Sequence, residues 1–270
     1  RLLQDEKQKN YLSKRQDDPD YDDFLDKFLE PDNQSSLADE HGSFEQRQTG
    51  FLNIPKLLET LKNYFYERGM YLQQQLDYQD IQLERDLIKW QEFNAKNIIF
   101  CEGHQATHNP WFNWLPFQLA KGEILTLTSD KLNTDKIINR SSWLIPVEKQ
   151  TFRTGANSQW DFEDNQPTAE GKEQVEQNLQ ALFKQPVDYQ VTAHQAGIRP
   201  ATRDKQPFIG KHPAENRLLI FNGFGARGSM TIPFYAECLI EHLQDNRPLP
   251  DHVDIRRVDI KPANIKPVDK

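Results

Sequence analysis

The stretch Gly197-Ile198-Arg199-Pro200-Ala201-Thr202-Arg203-Asp204-Lys205-Gln206-Pro207-Phe208-Ile209-Gly210, with the later Asn222-Gly223-Phe224-Gly225-Ala226-Arg227-Gly228-Ser229-Met230, decides how this chain is read. It sets two arginines on glycine-rich turns, the second just ahead of a helix predicted over roughly 229–243. Between the two turns, Arg217-Leu218-Leu219-Ile220-Phe221 is a continuous apolar run. Such a run, short and without alternation, predicts a strand buried on both faces, as in a parallel sheet. Asn97-Ile98-Ile99-Phe100-Cys101, ending at Glu102-Gly103, predicts a second strand of the same kind. The segment between these two strands has another character. Residues 123–128, 142–146 and 151–156 alternate apolar and polar, the pattern of antiparallel strands. Thr168 starts a helix to about Phe183, with Val175, Leu179 and Leu182 on its inner face. Two α/β pieces therefore flank an antiparallel piece, which predicts a discontinuous domain with a second domain inserted.

Outward from there, Pro55 opens a helix whose Leu57, Leu58, Leu61, Tyr64 and Phe65 recur at helical spacing, with Gly69 as its stop. Two or three brief strands are predicted between Met70 and Trp90. Residues 1–48 are acidic and glutamine-rich, and Phe24, Leu25, Phe28 and Leu29 predict a short amphipathic helical turn. Pro248 and Pro250 are predicted to end the fold ahead of a charged tail. The chain opens on Arg1, its first methionine is Met70, and most of its 12 glycines lie in the second half. That pattern reads as the latter part of a longer protein. A net charge of −8 argues against a nucleic-acid footprint. Cys101 and Cys238 lie in apolar runs and are predicted to be buried thiols rather than a disulfide. With no apolar run near the ~20 residues of a membrane span, the expectation is a soluble, cytoplasmic protein.

The chemistry-bearing residues are few. A helix N-terminus exposes backbone N–H groups, and Gly223, Gly225 and Gly228 would let a planar or anionic ligand approach the backbone. A plain glycine turn is the alternative, but Arg227 among those glycines suits bidentate carboxylate binding. Pro200 biases Arg199 towards an extended backbone that projects its side chain. Arg203-Asp204 is read as a structural ion pair. His104 and His108 have helical spacing, but Asn109-Pro110 breaks a helix there and no carboxylates accompany them, so a metal site is not expected. No Ser-His-Asp order or redox cysteine pair is recognisable. Trp143 is either a pocket wall or a core residue of a half-buried strand.

These residues together resemble the C-terminal part of the D-amino-acid-oxidase-like family of FAD-dependent oxidoreductases, of the glycine oxidase and sarcosine oxidase type. Ile98-Ile-Phe-Cys-Glu-Gly103, Lys121-Gly-Glu-Ile-Leu125, Trp143-Leu-Ile-Pro146, Phe152-Arg-Thr-Gly-Ala156 and Gln166-Pro-Thr168 are similar to further family motifs in the same order. The resemblance spans about residues 49–245. It implies a mixed α/β fold with a discontinuous Rossmann-like FAD-binding domain and an antiparallel substrate domain. The implied division is a helical part of the substrate domain at 1–48, FAD-binding segments at 49–108 and 196–245, the antiparallel substrate-binding domain at 109–195 and a tail at 246–270. It implies FAD as cofactor, and hydride transfer from a small amine or amino acid to the flavin. In that scheme Arg199 and Arg227 face the substrate carboxylate and Trp143 lines the pocket. Gly103, Gly223, Gly225, Ala226, Gly228, Ser229 and Met230 lie beside the cofactor. Two departures stand out. The unit with which family members begin, a strand, Gly-x-Gly-x-x-Gly and a helix that hold the pyrophosphate, has no counterpart in residues 1–97, and Glu102 replaces a small residue next to the dinucleotide. Rival readings are the oxidase module of a tRNA-uridine modification enzyme and a non-catalytic scaffold derived from the fold.

Overall fold

A computed structural model describes residues 1–258. In chain order the elements are α1 (Glu6–Gln16), β1 (Leu25–Leu29), β2 (Ser43–Gln46), α2 (Ile54–Tyr66), β3 (Ile81–Leu83), β4 (Ile88–Trp90), β5 (Phe93–Ala95), β6 (Ile98–Phe100), β7 (Ala120–Thr128), β8 (Ile138–Asn139), β9 (Trp143–Glu148), β10 (Thr151–Gly155), α3 (Ala169–Gln180), β11 (Gln190–Arg199), β12 (Phe208–Lys211), β13 (Leu218–Asn222) and α4 (Gly228–Asp245). They form two discontinuous units. The first joins Arg1–Leu52 to Lys121–Gly197, and the second joins Asn53–Ala120 to the chain from Ile198 onward.

In the first unit a five-stranded sheet has the order β11-β7-β10-β9-β8. The pairs of β10 with β7 and with β9 are antiparallel, as alternation predicts. Leu127, Leu144 and Phe152 turn to one face and pack with Leu179 and Leu182 from the helical segment, forming the unit's core. α3 starts at Thr168, whose hydroxyl accepts the Gly171 N–H at 3.0 Å as an N-cap. The segment after Phe24 departs from expectation: Leu25–Leu29 forms strand β1, paired antiparallel with β2 through a register shift between Leu25 and Phe28. Its apolar spacing fits a bulged strand as well as a helical turn, and Phe28 packs on Phe44 at 5.3 Å.

In the second unit a three-stranded sheet runs β12-β13-β6, with β13 and β6 parallel and β12 antiparallel. β13 is buried on both faces, Leu218 and Ile220 in one core cluster and Leu219 in another. β6 is not. It ends the sheet order, Ile99 is 40% exposed and Cys101 is exposed. The expected buried strand and buried thiol are corrected here, because a strand at the sheet edge lacks neighbours on one side. Cys238 is half-buried. Strands β3, β4 and β5 form a separate antiparallel meander. α2 begins where Asn53 and Pro55 predict, yet it buries no residue.

The fold does not end at Pro250. Val253 and Ile255 are fully buried, and Ile209 N–H donates to the Val253 carbonyl at 2.9 Å. The prolines shape a turn that returns the chain to β12. The expected tail from 246 is therefore structured to Val258, and its remainder lies outside the described residues.

Candidate functional site

The glycine turn after β13 is shaped by steric necessity. Gly223 has φ +83°, and a Cβ there would meet Thr202 Cγ2 at 2.9 Å and Phe208 N at 3.2 Å. Gly225 has φ +54°, a left-handed conformation that favours glycine. Its N–H donates to the Pro200 carbonyl at 3.0 Å. The residue after Arg199 is thus bonded to the turn that carries Arg227. The structure brings the two arginine-bearing turns together by their backbones.

Arg199 ends β11 and is half-buried, and burial pulls its guanidinium below the ordinary arginine value. A desolvated guanidinium gains most from an anionic partner. Arg227 is exposed and donates to the Lys205 carbonyl, which ties its side chain to the loop after Arg199. It stands immediately before α4, whose first turn has no side-chain cap. Ser229 and Met230 in that turn are exposed, as is Ala226, while Gly228 is half-buried. Arg203 does not pair with Asp204 as expected. Asp204 instead accepts from Arg257 Nε at 3.0 Å. That arginine comes from the segment that returns after Pro250, a partner no local reading could supply.

Gly103 follows β6 at φ +60°. Asn222, read in the sequence only as the start of the glycine turn, links the ends of the parallel pair. Its Nδ2 donates to the Gly103 carbonyl at 2.8 Å, and its Oδ1 accepts the Gly223 N–H at 2.8 Å. An asparagine directly before a glycine at a strand end was the available signal. Beside it, Glu102 has both carboxylate oxygens engaged, Oε1 by Tyr78 Oη at 2.6 Å and Oε2 by Asn109 Nδ2 at 2.8 Å. Burial, then the Glu102 carboxylate, push the Tyr78 phenol well above its ordinary value. Glu102 is therefore a built acidic feature at the strand end.

Trp143 belongs to the other unit. It begins β9 and, with Ile145, Pro146, Leu2, Leu29 and Phe44, lines a cavity of about 880 Å³, within the range of small-ligand pockets. Among the described residues no group of His, Cys, Asp and Glu could hold a metal ion, and no helix is long and apolar enough to cross a membrane.

Comparison with solved structures gives the same fold. Glycine oxidase from Geobacillus kaustophilus superposes with a TM-score of 0.74 at 18% identity, over 92% of this chain and 70% of that one. Iminodiacetate oxidase from Chelativorans sp. BNC1 gives 0.75 at 20%, over 93% and 74%. Among curated sequences, glycine oxidase of Bacillus subtilis is 24% identical over 148 residues, 54% of this chain and 40% of that protein. The tRNA 5-methylaminomethyl-2-thiouridine biosynthesis bifunctional protein MnmC of Idiomarina loihiensis is 31% identical over 151 residues, 54% of this chain and 25% of that protein. The chain thus spans well under two thirds of the curated relatives it matches. The family described as FAD dependent oxidoreductase (DAO) matches residues 2–242. With the glycine turn and the parallel strand pair in place, the chain belongs to this DAO family, whose cofactor is FAD.

Proposed function

We propose that the protein oxidises a small amine or amino acid with FAD, and that Arg199 and Arg227 bind the substrate carboxylate. The observation that carries this reading is the Gly225 N–H to Pro200 carbonyl bond, which joins the two arginine turns. Similarity to glycine oxidases supports the substrate class. Trp143 is assigned as an aromatic wall of the pocket in its own unit.

The residues fit the ring end of FAD. A Cβ-free turn at Gly223 and Gly225, followed by the uncapped first turn of α4, offers space and a positive helix end to an electron-rich ring. The Gly225 N–H is already used by Pro200, so the donors proposed for the ring are those of Ala226, Gly228, Ser229 and Met230. Gly103 is proposed to give close approach at the end of β6. Beyond the turn at 223–228, assigned here to the ring, the sequence offers no second glycine-rich strand-to-helix turn for the pyrophosphate. FAD, when bound, supplies the hydride acceptor. The chain's own part is to orient the carboxylate, with the amine entering in its neutral form. Arg199 contributes most through its desolvation, and Arg227 through a side chain held in place by the Lys205 carbonyl.

The test is the apparent affinity of the FAD-containing protein for glycine and sarcosine. Arg199→Ala and Arg227→Ala are each expected to weaken it about tenfold or more, as loss of a charge-assisted hydrogen bond does. Unchanged affinity in both variants removes the carboxylate assignment. A second reading, an oxidase module acting on a tRNA uridine, is favoured by the 31% identity to MnmC and opposed by the net charge of −8. Steeply salt-dependent tRNA binding would select it.

A further inference from the structure

A carboxylate stands just past β6 with its direction fixed and part of its capacity unspent. Glu102 lies two residues beyond the strand and is half-buried. Tyr78 Oη donates to its Oε1 at 2.6 Å, and Asn109 Nδ2 donates to its Oε2 at 2.8 Å. Both donors are themselves held. Asn109 is fully buried, and its Oδ1 accepts the Trp111 and Phe112 N–H groups at 2.9 and 3.1 Å. The Tyr78 ring stands edge-on to Trp111, with centroids 6.0 Å apart, and lies 6.3 Å from Phe100. All of these residues belong to the second unit.

An ionised carboxylate accepts at about four lone-pair sites. One bond to each oxygen is in place, so each oxygen keeps a direction for a further donor. The surroundings say which donor suits it. Gly103, next in the chain, has φ +60° and no atom within 4 Å of where a Cβ would stand. Its carbonyl accepts from Asn222 Nδ2 at 2.8 Å, and Asn222 Oδ1 accepts the Gly223 N–H at 2.8 Å. A single amide side chain therefore joins the backbone beside Glu102 to the glycine turn proposed for the flavin ring. The pyrophosphate of FAD is anionic and is repelled by a carboxylate. Beside the ring, FAD offers an acceptor the hydroxyls of the chain that leads from ring to pyrophosphate. An acidic side chain bonded to hydroxyls is also how dinucleotide-binding folds hold a ribose.

We infer that Glu102 binds the ribityl hydroxyls of FAD, with Tyr78 and Asn109 as positioning residues that aim its carboxylate. This rests on the placement of the ring at the turn from Gly223 to Met230, and adds a contact outside that turn.

FAD and an analogue in which a plain alkyl chain of the same length replaces the ribityl chain form a matched pair. Fluorescence titration of the purified, flavin-free protein reads both affinities. The unaltered protein is expected to bind FAD at least tenfold more tightly than the analogue. Glu102→Gln keeps the size of the side chain and can still bond Tyr78 and Asn109, but it lacks the charge. It should weaken FAD about tenfold, as loss of charge from a hydrogen bond does, and leave the analogue within twofold. Tyr78→Phe keeps the charge and loses its aim, and should weaken FAD by a smaller factor with the analogue again unchanged. An unchanged thermal midpoint in both variants confirms that the fold is intact. Tighter FAD binding by Glu102→Gln would show a carboxylate that only repels the pyrophosphate, and overturns the inference. So does equal loss for both ligands, loss for neither, or no FAD binding by the unaltered protein. Ser229→Glu separates the two proposals. It puts a carboxylate in the first turn of α4, where the helix end accepts it and an electron-rich ring does not. It should weaken both ligands, and if it weakens neither while Glu102→Gln still acts on FAD alone, only the ring placement falls.

Discussion

The two units invert the usual relation between polarity and burial. In the first, charge is buried. Glu123 on β7 is fully buried and Lys121 nearly so. The Glu123 carboxylate accepts from Thr168 N–H at 3.1 Å, Thr168 Oγ1 at 2.9 Å and His194 Nε2 at 2.6 Å, with Lys121 Nζ at 3.7 Å. In the second, apolar surface is exposed. Ile54, Leu57, Leu58, Leu61, Tyr64 and Phe65 on α2 are all exposed, as are Ile99 on β6 and Met230, Ile232, Phe234 and Ile240 on α4. The contrast teaches that burial follows available partners. The carboxylate has hydrogen bonds on both of its oxygens. Within its unit, the apolar stripe of α2 has nothing to pack on. Exposed patches of this kind mark surfaces for binding other elements.

The largest expected effect attacks the buried side. Glu123→Ala leaves buried Lys121 with only the exposed Asp164 carboxylate at 4.0 Å, and loss of one partner from a buried pair costs about 3–5 kcal/mol. Denaturant unfolding should show it. Gly171→Ala should behave similarly, because its Cβ would lie 2.3 Å from the Glu123 carboxyl carbon. If either variant is as stable as the parent, the cluster does not hold the unit together.

A smaller effect tests backbone rather than charge in the second unit. Gly223→Ala at φ +83°, against Thr202 and Phe208, should cost on the order of 1–3 kcal/mol. It is read in the same unfolding measurement.

His212 sharpens the comparison, being a buried titratable group without the partners that Glu123 enjoys. Its Nδ1 accepts only the Ala214 N–H at 3.3 Å, and Phe112 stands edge-on at 5.5 Å. Burial pushes its pKa below 6.5, against a smaller upward pull from Glu215. The folded state therefore binds this proton more weakly than the unfolded chain does. Its contribution to stability is complete above about pH 6.5 and is lost as pH falls from there towards the depressed value. His212→Gln should flatten that part of the stability profile, and an unchanged slope would exclude His212 as its source.

The smallest effect is on α2. Leu58→Glu and Leu61→Lys should change stability by less than about 0.5 kcal/mol while raising solubility. A large destabilisation would mean that this face is covered in solution.

Much of the fold was legible because it is written locally. Thr168 with Gly171 marks α3, alternation marks β9 and β10, and the glycines at 223 and 225 mark the turn. The missed parts depend on distant residues. Asp204 finds Arg257, 53 residues away, instead of its sequence neighbour. Val253 and Ile255 return to β12 across two prolines that look like an ending. The exposure of Ile99 depends on what lies beside β6, and an apolar run cannot report its neighbours. At the candidate site the arginines and glycines were visible from their types. The Glu123 cluster was not, because a glutamate in a strand is an ordinary residue until its partners are known, and the Asn-Gly pair at 222–223 signalled a turn but not the bond to Gly103.

Asn222 has one more consequence. With one amide group bonded to the loops that follow both parallel strands, those loops share a single latch. Hydrogen exchange of the Gly223 amide should therefore report on the freedom of the segment at Gly103. A disturbance at either strand end would be felt at the other without passing through the sheet.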